Sequence, residues 1–199
     1  MGTPQSTTEA PTEVGVRLRE LRRQQGLSAR AVAAAVGISP SAVSQIERGV
    51  LQPSIARLIA ITDALGVPLA EVFEERTERI APASGGVFAL QRAHESQSIP
   101  LETGVVFRRL SPGRMPGVDY FESVYPPGAS ATTEGSLFRH EGYEVGRMLA
   151  GELTIDFDDE RVVLHPGDAI SYPCSRPHHI HNTGEVDAVA QWVIVHTPQ

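Results

Sequence analysis

The sequence predicts two small domains of opposite class, an all-α unit followed by an all-β unit, and three observations carry that prediction. Apolar residues recur at helical spacing as far as Phe73, and beyond Gly86 that period gives way to short runs rich in Val, Ile, Tyr and Phe separated by Gly, Pro and Asp. Between the two patterns lies a short stretch of linker composition, residues 81–86 (APASGG). Charge divides at the same place. Val14 to Leu58 holds seven arginines against Glu20 and Glu47, a net +5 in a chain whose total is −7, which leaves −12 for the remainder.

At 199 residues the chain has room for two such units, each with its own core. No stretch approaches the roughly 18 apolar residues of a membrane helix, so no membrane partner is expected. Met1 to Glu13 has neither a basic start nor an apolar run and reads as a polar tail rather than a secretory leader. The single cysteine, Cys174, excludes an internal disulfide framework, which agrees with a reducing, cytoplasmic setting. The expected organisation is a tail over 1–12, a helical domain over 13–75, a linker over 76–86 and a β domain over 87–199.

In the helical part, Val14, Leu18 and Leu21 mark a first helix. Ser28 caps a second that Gly37 ends, Ser39 with Pro40 starts a third that Gly49 stops, and Ser54 caps a fourth. A short turn after Pro68, Leu69 to Phe73, makes a fifth. The second and third helices meet at Gly37 as a helix-turn-helix, and between the buried positions Val43 and Ile46 the third helix carries small or polar residues, Ser41, Ala42, Ser44, Gln45 and Arg48, free to face a partner.

The stretch LRELRRQQGLSARAVAAAVGISPSAVSQIERGVLQPSIARLIAITDALGV resembles the helix-turn-helix of phage repressors and Cro, the XRE family. The resemblance implies a five-helix, lambda-repressor-like domain that binds double-stranded DNA. It puts Ser39, Pro40, Ser41, Ser44 and Gln45 at the recognition surface, and Ser28, Arg30 and Arg48 near phosphates. Gln45 has the donor and acceptor to pair with adenine, whereas serines read either base type weakly.

The β part shows strand-like segments at Gly104–Leu110, Val118–Tyr125, Glu152–Phe157, Arg161–Leu164, Ala169–Tyr172 and Ala188–Val195, the pattern of a sandwich or barrel. Five of the seven histidines fall between His140 and His181, and His140, Glu144 and His178 have ligand-like spacing. Two histidines and a carboxylate can take one face of a divalent metal and leave its other positions open. His179 and His181 are expected on the surface or at an interface, and Cys174 has no assigned role.

This region resembles the cupin superfamily, a jelly-roll or double-stranded β-helix barrel. Phe138, His140, Glu144 and Gly151 hold the positions of the first cupin motif, and Gly167, Pro173, Ser175, His178 and Asn182 those of the second. Phe138 stands where the family has its first histidine ligand, Ser175 replaces a turn glycine, and the opening glycine is displaced to Gly128. Phe138 is expected on one strand face with His140, as an apolar wall. The resemblance implies an effector pocket of Phe138, His140, Glu144, Met148, Tyr172 and His178. Two readings stay open: a Zn, Fe, Ni or Mn ion on His140, Glu144 and His178, or an organic ligand held without metal.

Together the two resemblances imply a one-component bacterial transcriptional regulator, similar in its barrel to the putrescine-responsive repressor branch. An effector, an amine or amino acid, would control binding to a palindromic operator by a dimer joined through the cupin domains. The alternative is an enzyme: a mononuclear non-haem iron epoxidase also joins a repressor-like domain to a cupin and uses a His, Glu, His facial triad. The basic block and polar third helix favour the regulator.

Overall fold

The computed structural model describes residues 13–73, 88–96, 98–113, 115–133 and 135–196; the expected tail and linker lie outside them. The helical part contains α1 (Glu13–Gln24), α2 (Ala29–Val36), α3 (Pro40–Glu47) and α4 (Ile55–Leu65), and the expected fifth helix is instead a 3-10 turn, Leu69–Phe73. Five residues after Pro68 are too few for more than one tight turn, and its chief contribution is Phe73.

The serine caps and the Gly37 end form as read, whereas α3 has Arg48 rather than Gly49 as its C-cap, and the glycine that ends α4, Gly66, was not among the expected stops. Ser28, Ser39 and Ser54 accept from the backbone N–H of Ala31, Ala42 and Arg57, and Gly37 and Gly66 end α2 and α4 in the left-handed region. Leu18, Leu21, Val32, Val43, Ile46 and Leu58 form the centre of the helical core. Gly15 is required by contact: a Cβ there would lie 2.3 Å from the Ile46 carbonyl, so its absence lets α1 lie directly against α3.

The β part has nine strands among the described residues: β1 (Ser98–Pro100), β2 (Val106–Arg109), β3 (Val118–Tyr125), β4 (Tyr143–Ala150), β5 (Leu153–Phe157), β6 (Arg161–Leu164), β7 (Ala169–Pro173), β8 (His178–His181) and β9 (Ala188–Val195). They form two antiparallel sheets, ordered β1-β2-β3-β9-β4-β7 and β6-β5-β8. Strand β3 alternates half-buried and buried residues without a break, and β9 does so as far as Ile194, as strands with one face on a core must. Strand β4 was not among the expected segments, although its alternation is as clear; Gly146 interrupts its apolar character. That glycine faces Trp192 of β9, and a Cβ would come within 2.3 Å of the indole.

The two parts touch. Phe73 packs on Phe121 and Phe107 with ring centroids 5.5 and 6.3 Å away. The Ala56 N–H at the start of α4 donates to the Ala131 carbonyl, and the Glu102 N–H donates to the Pro53 carbonyl, both at 3.1 Å. Arg57 lies 3.9 Å from the Glu102 carboxylate.

Candidate functional site

On the helical unit, α3 rests on the core through Val43 and Ile46 and leaves Ser39, Pro40, Ser41 and Arg48 exposed, with Ser44 and Gln45 half-exposed. A bidentate pair fixes its position: the Arg22 guanidinium of α1 donates to both carboxylate oxygens of Glu47, and its Nη1 also donates to the Leu27 carbonyl at 2.8 Å. Pro40 occupies the first helical turn, where its missing N–H costs nothing. The Ser44 hydroxyl donates back to the Pro40 carbonyl at 3.0 Å, so it is partly committed to its own helix. The Gln45 side chain has no such bond among the described residues.

The basic block is smaller at the surface than in the sequence. Arg22 is internal, Arg17 lies against Glu20 and Glu71, and Arg57 against Glu102, which leaves Arg19, Arg23, Arg30 and Arg48 exposed. Sequence reasoning counted seven because composition does not say which charges are spent on the fold.

In the barrel, His140, Glu144 and His178 come together, with one ligand atom from each lying within 4.8 Å of the others, and all three are buried. Each element contributes for a local reason. Glu144 points inward because it sits on the buried phase of β4, and His178 opens β8. His140 lies just before β4 and is held by its N–H, which donates to the Cys174 carbonyl at 3.1 Å. The His140 Nδ1–H donates to the Glu141 carbonyl at 3.1 Å and the His178 Nδ1–H to the Arg176 carbonyl at 2.8 Å. A carbonyl only accepts, so in both rings the proton is on Nδ1 and Nε2 carries a bare lone pair. Both Nε2 atoms are buried without a hydrogen-bond partner.

Burial chiefly, and then the neighbouring His178, hold His140 down at about 4; His178 is lowered by burial as well. Burial pushes Glu144 up to about 7, against the pull of the Tyr172 hydroxyl, which donates to its Oε2 at 2.6 Å. Two neutral imidazoles aimed inward and a buried carboxylate fit a divalent cation, because a cation would satisfy the two orphaned nitrogens and stabilise the ionised carboxylate. The barrel therefore holds a cluster able to bind a metal.

Phe138 lies beside the triad but outside any of the named strands. It makes one bridge to His178, and its ring is 5.9 Å from His140 and 4.4 Å from His178. Met148 is fully buried on β4, and Tyr172 on β7 touches His178 at 5.0 Å between ring centroids. His179, expected at the surface, is buried, with Nδ1 2.9 Å from the Thr132 hydroxyl, because the bridge at Ser130 brings that segment alongside β8. His181 pairs with Asp156 at 2.9 Å. Cys174 is buried, and burial first and then Glu144 push its thiol up, so it is not a reactive thiolate. What sequence reasoning missed is the orienting set: the carbonyls of Glu141 and Arg176 carry no side-chain signal.

A helix-turn-helix model matches residues 18–72 and a cupin-domain model residues 121–194. The HTH-type transcriptional regulator PuuR of Escherichia coli (strain K12) is 31% identical over 184 residues, covering 92% of this chain and 94% of that protein. The chain belongs to the HTH-type transcriptional regulators. A second such regulator, SutR of the same strain, is 26% identical over 92% of this chain and 93% of its own length. A crystal structure of an HTH_3 family transcriptional regulator from Vibrio cholerae shares the fold, with a TM-score of 0.67 at 22% identity over 94% of this chain and 97% of that one. This regulator thus joins a DNA-binding helical unit to a cupin sensing domain. PuuR and SutR, which match nearly the whole length of this chain, are both named as transcriptional regulators, which supports a regulator rather than an enzyme.

Proposed function

We propose that this regulator reads a palindromic operator as a homodimer joined through its cupin domains, with Ser39, Pro40, Ser41, Ser44 and Gln45 at the recognition surface facing base edges and Ser28, Arg30 and Arg48 along the phosphates. The supporting observation is the exposed, polar outer face of α3, locked to α1 by the part-buried Arg22–Glu47 pair. A single helix-turn-helix contacts few base pairs, and a two-fold pair extends the site by one helical turn or a multiple of it. The working units are 13–75 and 87–199, and the setting is the cytoplasm.

His140, Glu144 and His178 hold a divalent ion from the set Zn, Fe, Ni or Mn, supported by the paired orphan nitrogens. Such an ion supplies a fixed point of positive charge with open positions. Phe138, Met148 and Tyr172 shape the space around it, exclude water and receive the effector, an amine or amino acid. Tyr172 orients the Glu144 carboxylate, and the Glu141 and Arg176 carbonyls set the tautomers of the two histidines.

Footprinting tests the DNA half: a Ser41→Ala/Gln45→Ala double variant loses operator protection, and unchanged protection overturns the assignment. Elemental analysis tests the barrel half: Glu144→Ala purifies without the metal that the wild type carries, and equal metal content in both rejects the site.

A further inference from the structure

The seam between the helical unit and the barrel is closed by backbone groups around the start of α4. The Ala56 N–H donates to the Ala131 carbonyl, and the Glu102 N–H donates to the Pro53 carbonyl, both at 3.1 Å. Ala56 lies in the first turn of α4, where an N–H has no acceptor within its own helix, so Ala131 supplies one. The Glu102 carboxylate faces Arg57 at 3.9 Å and accepts from the Thr133 hydroxyl at 2.8 Å. Two barrel segments, 101–104 and 129–133, thus grip residues 53–57 of the helical unit.

These two segments are joined at a strained residue. Thr103 is the one residue other than glycine with a positive φ among the described residues, 67°, in the left-handed region that a β-branched side chain disfavours. Ser130 holds it there: the Thr103 hydroxyl donates to the Ser130 carbonyl at 2.9 Å and accepts from the Ser130 N–H at 3.4 Å. Thr103 is exposed, so both bonds compete with water.

The second segment is also bonded to the strand that carries a triad ligand. The Ala131 N–H donates to the Ile180 carbonyl at 2.8 Å and the Asn182 N–H to the Ala129 carbonyl at 2.9 Å, on either side of a bridge between Ser130 and His181. Phe138 and His178 exchange bonds in both directions at 2.9 Å. Strand β8 therefore begins at His178 of the triad and, two residues or about 7 Å further on, holds the segment on which α4 rests.

We propose that Thr103 and Ser130 form a strained latch between the two units, and that β8 ties this latch to the triad, so that a divalent ion on His178 holds the helical unit docked; this rests on the metal reading of the triad. An ion that fixes His178 against His140 and Glu144 fixes β8, and with it residues 129–131. With the site empty, the latch opens more readily, Thr103 relaxes to the right-handed region, and α4 loses its acceptor at Ala131. Coupling of this kind needs an element with two arrangements that both sites bias. By linkage, docking and ion binding strengthen each other by the same factor.

Hydrogen exchange on the full chain, followed by NMR at the Ala56 and Glu102 amides with and without saturating zinc, tests this. Both amides donate across the seam, so their protection reports docking. Zinc slows their exchange about tenfold in the wild type and leaves it unchanged in Glu144→Gln. Equal slowing in Glu144→Gln overturns the tie to the triad. Calorimetry with zinc keeps the two readings apart: zinc bound by the wild type with both amides unchanged overturns the tie alone, and no zinc bound overturns the metal reading and the tie with it. Two variants test the latch without metal. Thr103→Ala loses the hydroxyl and keeps the strain, whereas Thr103→Gly loses both, so the two amides exchange about tenfold faster in the alanine variant than in the glycine variant. Equal rates in the two overturn the strained latch. Circular dichroism checks that each variant is folded.

Discussion

The helical unit and the barrel treat buried polarity in opposite ways. In the helical unit the buried charge is answered: Glu47 receives two bonds from Arg22, and the pair serves only to hold α3 on α1. In the barrel, two buried histidine nitrogens face inward with nothing to bind, around a carboxylate that burial has raised to about 7. A satisfied buried pair fixes geometry, and an unsatisfied cluster of donors is a site for something absent from the chain. The contrast separates a part that presents a rigid surface outward from a part that receives a ligand inward.

The strongest way to break this comparison is Arg22→Ala. It leaves the Glu47 carboxylate unpaired in a part-buried site, a loss of about 1–3 kcal/mol, a large fraction of the stability of a small helical unit. Circular dichroism at 222 nm should fall while fluorescence of the single tryptophan, Trp192 of the barrel, keeps its folded spectrum. Loss of both signals together would mean that the Phe73 contact welds the two parts into one cooperative body.

Tyr172→Phe sharpens the barrel side. It removes the hydroxyl that orients Glu144 and keeps the ring packing against Phe157, so metal affinity is expected to fall about 10–100-fold without loss of fold. Affinity unchanged by competition with a chelator would show that the hydroxyl is a packing partner only.

On the recognition face, Gln45→Ala should cost about 1–3 kcal/mol at one base position and relax preference there, while Arg48→Ala weakens all sequences alike and lowers the salt slope. Selection from a randomised operator library distinguishes the two; identical profiles for both variants would remove Gln45 from the base-reading set.

The smallest effect concerns the seam. His196 donates to Asp119, and that bond, with the nearby Asp119 and Asp63 charges, raises its pKa above the ordinary value. A raised folded-state value means the contribution is complete below the unfolded pKa of about 6.5 and is lost as pH rises through the folded value. For a part-exposed pair it is about 0.2–1 kcal/mol. The melting-temperature gap between wild type and His196→Asn should therefore be widest near pH 6 and shrink in alkali; a gap that widens with pH would contradict the assignment.

Much of this molecule is decided by residue type and spacing alone. Ser28, Ser39, Ser54, Gly37 and Gly66 set the helix ends because capping is local chemistry, and Val43 with Ile46 orients α3 because its period leaves them no other face. His140, Glu144 and His178 were legible as a set because two motifs carry them. Tertiary structure decided what local pattern does not encode. It spent Arg17 and Arg22 inside the fold, tucked His179 against Thr132, reduced the fifth helix to a turn that delivers Phe73 to the barrel, and hid β4 behind a glycine needed for Trp192. It also made a pocket at the seam, whose carboxylates Asp63, Asp119 and Glu141 come from both parts of the chain. Spacing along a chain reports which groups share a face of one element; which groups meet across elements depends on packing, and packing is set by all the contacts at once.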